Sequence, residues 1–230
     1  MQVVETGSHS MRPGRRTKLR ILSLAGVAVL ALFAVTASAA SAASYKSTST
    51  LTYVTATSNA SHLVNMGGLS SSMVCPQVSG SAELTKAASS TLTIGSLAYT
   101  GCTIAGQKVT VNTNGCAYKL SEPTGGPSSF TVNPVTIECP AGKAIVFEAK
   151  SAGCSISYGP QTANTASSVA NEVGPPSYIS LNLSLFGLSY TSSGGICGGS
   201  SEKSGHLSGP LALRGYRDAL HTKATSIFVE

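Results

Sequence analysis

Four histidines, nine carboxylates and a serine-rich background are the raw material for hydrolytic chemistry in this 230-residue chain. Ser200-Ser201-Glu202-Lys203 matches the Ser-x-x-Lys of penicillin-recognising hydrolases, and Lys203-Ser204-Gly205 imitates their Lys-Thr-Gly. Those enzymes need the first motif on a helix and the second on a distant strand. Here both share one lysine in a glycine-rich stretch, so the match is compositional. A Ser-His-Asp triad would draw on Asp218 or a glutamate and on His62, His206 or His221, but no Gly-x-Ser-x-Gly elbow accompanies them. Glu122, Glu138, Glu148 and Glu172 each stand alone, whereas glycosidic hydrolysis needs two placed carboxylates. Chemistry of this kind has no organised site in the sequence, and the expectation is a non-enzyme with no cofactor and no catalytic or metal-binding residues.

Binding is better provided for. Tyr53, Tyr99, Tyr118, Tyr158, Tyr178, Tyr190 and Tyr216 are rings that could line a face for sugar or peptide. Most alternate with polar residues, which favours packing in a core or on a sheet face. Asn59-Ala60-Ser61 and Asn182-Leu183-Ser184 match the glycosylation sequon, a three-residue pattern that a chain rich in Ser and Asn meets by chance.

The six cysteines, Cys75, Cys102, Cys116, Cys139, Cys154 and Cys197, carry the firmest chemistry. No Cys-x-x-Cys occurs and no histidine stands at ligand spacing, so three disulfides are expected rather than a metal. Six cysteines allow fifteen connectivities. The preferred set is Cys102–Cys116 and Cys139–Cys154 locally, with Cys75–Cys197 tying the ends.

Export fits that chemistry. Arg12, Arg15, Arg16, Lys18 and Arg20 precede the apolar run Ile21–Val35, and Ala37-Ser38-Ala39 and Ala40-Ser41-Ala42 both fit a cleavage site. Residues 1–43 therefore read as leader and signal helix, with Met11 a natural start, and 44–230 as one secreted domain. Without the leader, ten Lys and Arg face eight acids, so the charge of +6 falls to 10 − 8 = +2. The bases are scattered, which leaves no nucleic-acid footprint. A membrane would be met only through an uncleaved signal peptide. Cell-wall polysaccharide or another surface protein is the expected partner.

The elements that must position these residues are short strands. Val109 and Val111, then Cys116, Tyr118 and Leu120, alternate with polar residues around Asn114-Gly115, which predicts a hairpin there. Ala105-Gly106 predicts a second reversal. Glu122–Ser129 and Gln161–Pro176 read as loops. Tyr178–Tyr190 is a long strand with a bulge at Gly187. Segment 214–230 is either part of the domain or a tail. Gly101-Cys102-Thr103-Ile104, Gly115-Cys116-Ala117-Tyr118 and Gly153-Cys154-Ser155-Ile156 repeat one device: glycine for a turn, cysteine for a staple, a large residue for the core. The fold class is all-β, an antiparallel two-sheet β-sandwich, Ig-like or related, stapled by disulfides.

The elements Tyr99-Thr100-Gly101-Cys102-Thr103, Asn114-Gly115-Cys116-Ala117-Tyr118, Cys139-Pro140-Ala141-Gly142-Lys143, Cys154-Ser155-Ile156 and Pro160-Gln161 resemble a group of uncharacterised secreted, cysteine-stapled all-β proteins of high-GC Gram-positive bacteria. The resemblance covers about Leu92 to Cys197. It implies export and an all-β fold, and it carries no activity. The functional expectation is a secreted or cell-surface structural or adhesive domain. The alternative is an extracellular binding module for a glycan or small apolar ligand, and an unrecognised hydrolase comes third.

Overall fold

A computed structural model describes residues 42–58, 60–65, 72–126, 129–197 and 200–230, with the backbone alone at 200–203. The leader residues 1–41, with the expected signal helix, lie outside the described residues, as do the side chains of Ser200–Lys203.

Alternation dictates what the strands do. Val54 and Ala56 are buried while Tyr53, Thr55 and Thr57 face outward, and the same two-residue period runs through Ile179–Leu185. A strand so patterned must cover a core with one face and meet water with the other. Eight such runs, here called staves, line up by their ladders. Stave 1 is Thr52–Ser58 with His62–Asn65, stave 2 Met73–Cys75 with Gln77–Leu84, and stave 3 Leu92–Thr100 with Thr103–Ile104. Stave 4 joins Gln107–Lys108, Thr110–Asn112, Ala117–Leu120 and Pro123–Gly126. Stave 5 joins Ser129–Val132, Val135–Glu138 and Ile145–Ala149, and stave 6 Cys154–Tyr158, Gln161–Ala163 and Ser167–Glu172. Staves 7 and 8 are the unbroken strands Tyr178–Ser193 and Ser200–Tyr216.

Each stave pairs antiparallel with the next in sequence. Stave 8 returns to stave 1 through Tyr53↔Tyr216 and Leu63↔Ser208. The all-β, antiparallel, disulfide-stapled fold stands as expected, and the pairing refines its topology. The two layers are joined at both edges into one closed wall, and the order is a meander. Closure pairs Thr52–Ser58, Tyr178–Ser193 and Ser200–Tyr216 on both sides.

A three-stranded strip crosses one end. Tyr45–Ser47 lies between Ile227–Val229 and Ala88–Ser89. Tyr45 is fully buried and its hydroxyl donates to the Ser121 carbonyl at 3.1 Å. Asn171 donates to the Val229 carbonyl and accepts from its N–H, at 2.8 and 2.7 Å. Segment 214–230 is thus part of the domain, since Ile227 and Val229 are core residues.

Three expectations need correction. Asn114 and Gly115 both have positive φ, as a hairpin turn demands, but they kink stave 4 in its middle. The strands on either side, Thr110–Asn112 and Ala117–Leu120, both continue along stave 5. The hairpin falls at Ala105-Gly106, where Ile104 faces Gln107. Much of the two expected loops is wall: Pro123–Gly126 pairs with Ser129–Val132, Gln161–Ala163 with Val135–Ile137, and Ser167–Glu172 with Tyr178–Asn182, while Val173–Pro176 is loop as expected. In Pro123–Gly126 and Ser167–Glu172 the Gly, Pro and Ser residues conceal extended backbone whose ladder comes from neighbours.

The disulfides correct all three preferred pairings. They are Cys75–Cys102, Cys116–Cys139 and Cys154–Cys197. Val74 faces Thr103 and Ala117 faces Glu138, so one further rung sets the first two pairs directly opposite on neighbouring staves. Cys102 instead faces Val109, whose N–H donates to its carbonyl, and so cannot meet Cys116. The repeated Gly-Cys device is present in all three places. Gly101, Gly115 and Gly153 take positive φ of 70°, 78° and 58°. Each following cysteine is buried and bonded, and Ile104, Tyr118 and Ile156 enter the core.

Candidate functional site

Closure sorts the tyrosines into two populations. Tyr99, Tyr118, Tyr158 and Tyr190 point into the barrel and are at most 7% exposed. Tyr99, Tyr158 and Tyr190 form a row with His62 and Phe147 that passes from stave 1 to staves 3, 5, 6 and 7. Ring centroids lie 6.4 Å apart for His62–Tyr99, 5.8 Å for Tyr99–Phe147, 6.0 Å for Phe147–Tyr158 and 5.9 Å for Tyr158–Tyr190. The first three contacts are edge-to-face, the geometry that ring quadrupoles prefer. Tyr99 and Tyr118 share a short hydroxyl–hydroxyl hydrogen bond. Burial pushes both hydroxyls, and that of Tyr158, well above the usual phenol range. The Tyr158 hydroxyl has no hydrogen-bond partner among the described residues.

His62 sits at the seam where staves 1 and 8 close the barrel. The ladder there breaks between the rungs Thr57↔Ala212 and Leu63↔Ser208, around Pro210, which has no N–H to give. His62 Nε2 stands 2.9 Å from the Pro210 carbonyl, so it donates and bridges the gap. Its ring lies against Gly209, where any Cβ would collide with it. Nδ1 is buried and has no hydrogen-bond partner among the described residues. Burial lowers the His62 pKa, against a smaller upward pull from the Pro210 carbonyl.

The second population is on the outside. Tyr53 and Tyr216 are direct partners across staves 1 and 8. Two rungs along, Thr55 faces Arg214, whose guanidinium lies 4.1 Å over the ring of Tyr178 on stave 7. The rings of Tyr216 and His221 are 5.0 Å apart. All three tyrosines are half-buried, so each is held on the wall with part of its ring in solvent. From Tyr178 an open groove runs over the seam, lined by Thr57, Ser58, Ala60, Ser180, Pro210 and Ala212. Its volume is about 340 Å³.

The expected catalytic candidates are not brought together. His206 stacks on Phe186 at 3.7 Å on the outer wall of staves 7 and 8. Asp218 is spent on its own loop: its carboxylate accepts from the N–H groups of Thr222 and Lys223 and from the Thr222 hydroxyl at 2.6 Å. Those bonds, led by the hydroxyl, hold its pKa below the usual carboxylate value. Glu138 pairs with Lys119 at 2.9 Å. Glu172 and Glu148 lie on different rungs of the wall, facing Tyr178 and Thr110. The backbone of Ser200–Lys203 is strand, whereas Ser-x-x-Lys chemistry uses a helix. Among the described residues no three His, Cys, Asp or Glu are grouped to hold a metal.

Sequence reasoning missed Arg214 and the seam. Parity held a signal for the outer tyrosines: Tyr53, Tyr178 and Tyr216 stand out of phase with Val54, Ile179 and Leu213, which are buried. Comparison with protein-family models, with curated proteins and with solved structures finds no match to this chain. The class defined by fold and site is a closed, disulfide-stapled antiparallel β-domain with a filled core and a tyrosine-bearing outer face.

Proposed function

We propose that the chain is an exported, non-enzymatic domain that attaches to the cell surface or envelope through the outer face of staves 1, 8 and 7. The observation that carries this reading is the outward cluster of Tyr53, Tyr178 and Tyr216 beside an open groove. Rings held half-exposed on a rigid wall lose little entropy when they meet a partner. Three disulfides fit an oxidising, extracellular setting. Wall residues such as Thr55, Thr57, Ser180, Asn182 and Ser184 face outward and the apolar ones inward, the reverse of a membrane-spanning barrel. Interior binding has less support, because buried rings in mutual contact already occupy the inner face of staves 3, 5, 6 and 7.

The test is co-sedimentation of the oxidised protein, collected from the medium of an exporting host, with purified cell-wall sacculi. Saturable pelleting is expected, and it should weaken in Tyr178→Ala and Tyr216→Ala. Absence of pelleting at every salt concentration overturns the attachment role.

A further inference from the structure

We infer that the groove and the outer tyrosines together form a binding site for a linear, uncharged polysaccharide, an inference that rests on the attachment reading above. The groove begins at Tyr178 and passes Ser180, Thr57 and Pro210, so one ring face adjoins hydroxyl donors and an apolar floor. That mixture suits a sugar ring, which has an apolar face of C–H groups and a rim of hydroxyls. Along stave 8 the outward residues Ala212, Arg214 and Tyr216 follow at alternate positions, and four residues of strand span about 13 Å. The row therefore continues past the groove to Tyr216 and Tyr53, a track for consecutive sugar units.

The shape argues for a polymer. Sites for small molecules enclose most of their ligand, whereas this groove opens along its length. The charges argue for a neutral chain. Arg214 is engaged on Tyr178, Glu172 faces Tyr178 and Glu83 faces Tyr53, and beyond Tyr216 the cations Arg217 and Lys223 stand beside Asp218, so three bases meet three acids. Such a face offers no net positive field to an anionic polymer. An extended peptide would dock most readily by adding to a free sheet edge, whereas on this face Thr52–Ser58, Tyr178–Ser193 and Ser200–Tyr216 are each already paired on both sides. Arg214 acts as a positioning residue, fixing the Tyr178 ring rather than pairing with the ligand.

The test is affinity electrophoresis of the native oxidised protein in gels containing laminarin, xylan or hydroxyethyl cellulose, with polygalacturonate as the anionic comparison. Retardation by at least one neutral polysaccharide is expected, with binding weakened roughly tenfold in Tyr178→Ala and in Tyr216→Ala. Arg214→Ala should weaken it less and equally at low and high salt. Unfolding curves for each variant show whether a loss of binding is only a loss of fold, and Tyr216→Phe, which keeps the ring, should keep most of the binding. Retardation by polygalacturonate alone, or neutral retardation untouched by both alanine variants, overturns the site. No retardation in any of the three neutral gels, with sacculi still pelleting the protein, overturns the polysaccharide site and leaves attachment standing. Loss of pelleting as well removes both.

Discussion

The inner and outer tyrosines do opposite things with the same side chain. Inside, Tyr99, Tyr118, Tyr158 and Tyr190 fill space between walls, and their hydroxyls are polar atoms that the core must accommodate. Outside, Tyr53, Tyr178 and Tyr216 are half-buried on the water face, and Tyr178 and Tyr216 rest their rings against Arg214 and His221. The difference follows from one residue of parity on a wall that has an inside. A ring on the core face contributes to stability, and a ring on the water face is available to a partner.

Replacing one ring in each population is the harshest way to break that contrast. Phe147→Ala empties the middle of the inner row and should cost about 3–5 kcal/mol in denaturant unfolding. Tyr216→Ala should cost less than about 1 kcal/mol while reducing pelleting. Equal destabilisation by the two would show that the outer ring is structural and sink the contrast.

Removing single hydroxyls sharpens it within the core. Tyr118→Phe leaves the Tyr99 hydroxyl buried without its partner and should cost about 1–3 kcal/mol. Tyr158→Phe deletes a buried hydroxyl that has no partner among the described residues, so it should leave stability unchanged or raise it slightly. The unfolding midpoints of the two variants decide this, and a larger loss in Tyr158→Phe would contradict it.

The smallest expected effect is that of pH at the seam. His62 titrates lower in the fold than in the unfolded chain, because burial disfavours its charged form. The unfolded state therefore binds the proton first as pH falls. Its contribution is fully present above about pH 6.5, the unfolded value, and is lost as pH falls from there through the folded value. Stability measured from pH 8 to 5 should decline over that window, and His62→Gln should flatten the decline. His206 is also lowered by burial and acts in the same direction from the outer wall. A decline unchanged in His62→Gln would assign the effect to His206 or to the acids.

Much of the wall is legible in the residues themselves. The alternation Ile179, Leu181, Leu183, Leu185 places stave 7, and Phe186-Gly187-Leu188 marks its irregularity, where the register shifts as expected. Ala105-Gly106 is a turn in both readings. Asn114-Gly115 shows where local reasoning fails: its positive φ angles are a property of the dipeptide, but whether the chain reverses depends on what lies alongside. Stave 5 offers Val146–Glu148 to one side of the kink and Val135–Glu138 to the other, and that pairing keeps the strand going. The disulfide pattern depended on the same point, since opposition of Cys116 to Cys139 is a matter of register.

The sequence by itself determined the all-β class, the alternation of faces, the six paired cysteines and the Gly-Cys-small-large device, because each rests on residues a few positions apart. Only the tertiary structure decided that stave 8 closes on stave 1, which cysteines face each other, and that Tyr53, Tyr178, Arg214 and Tyr216 gather on one face. Those facts join residues up to 163 positions apart (216 − 53), at Tyr53↔Tyr216. Their physical cause is the pairing of backbone groups around a closed ring, where each rung is fixed by the core-facing side chains of both strands rather than by any local preference.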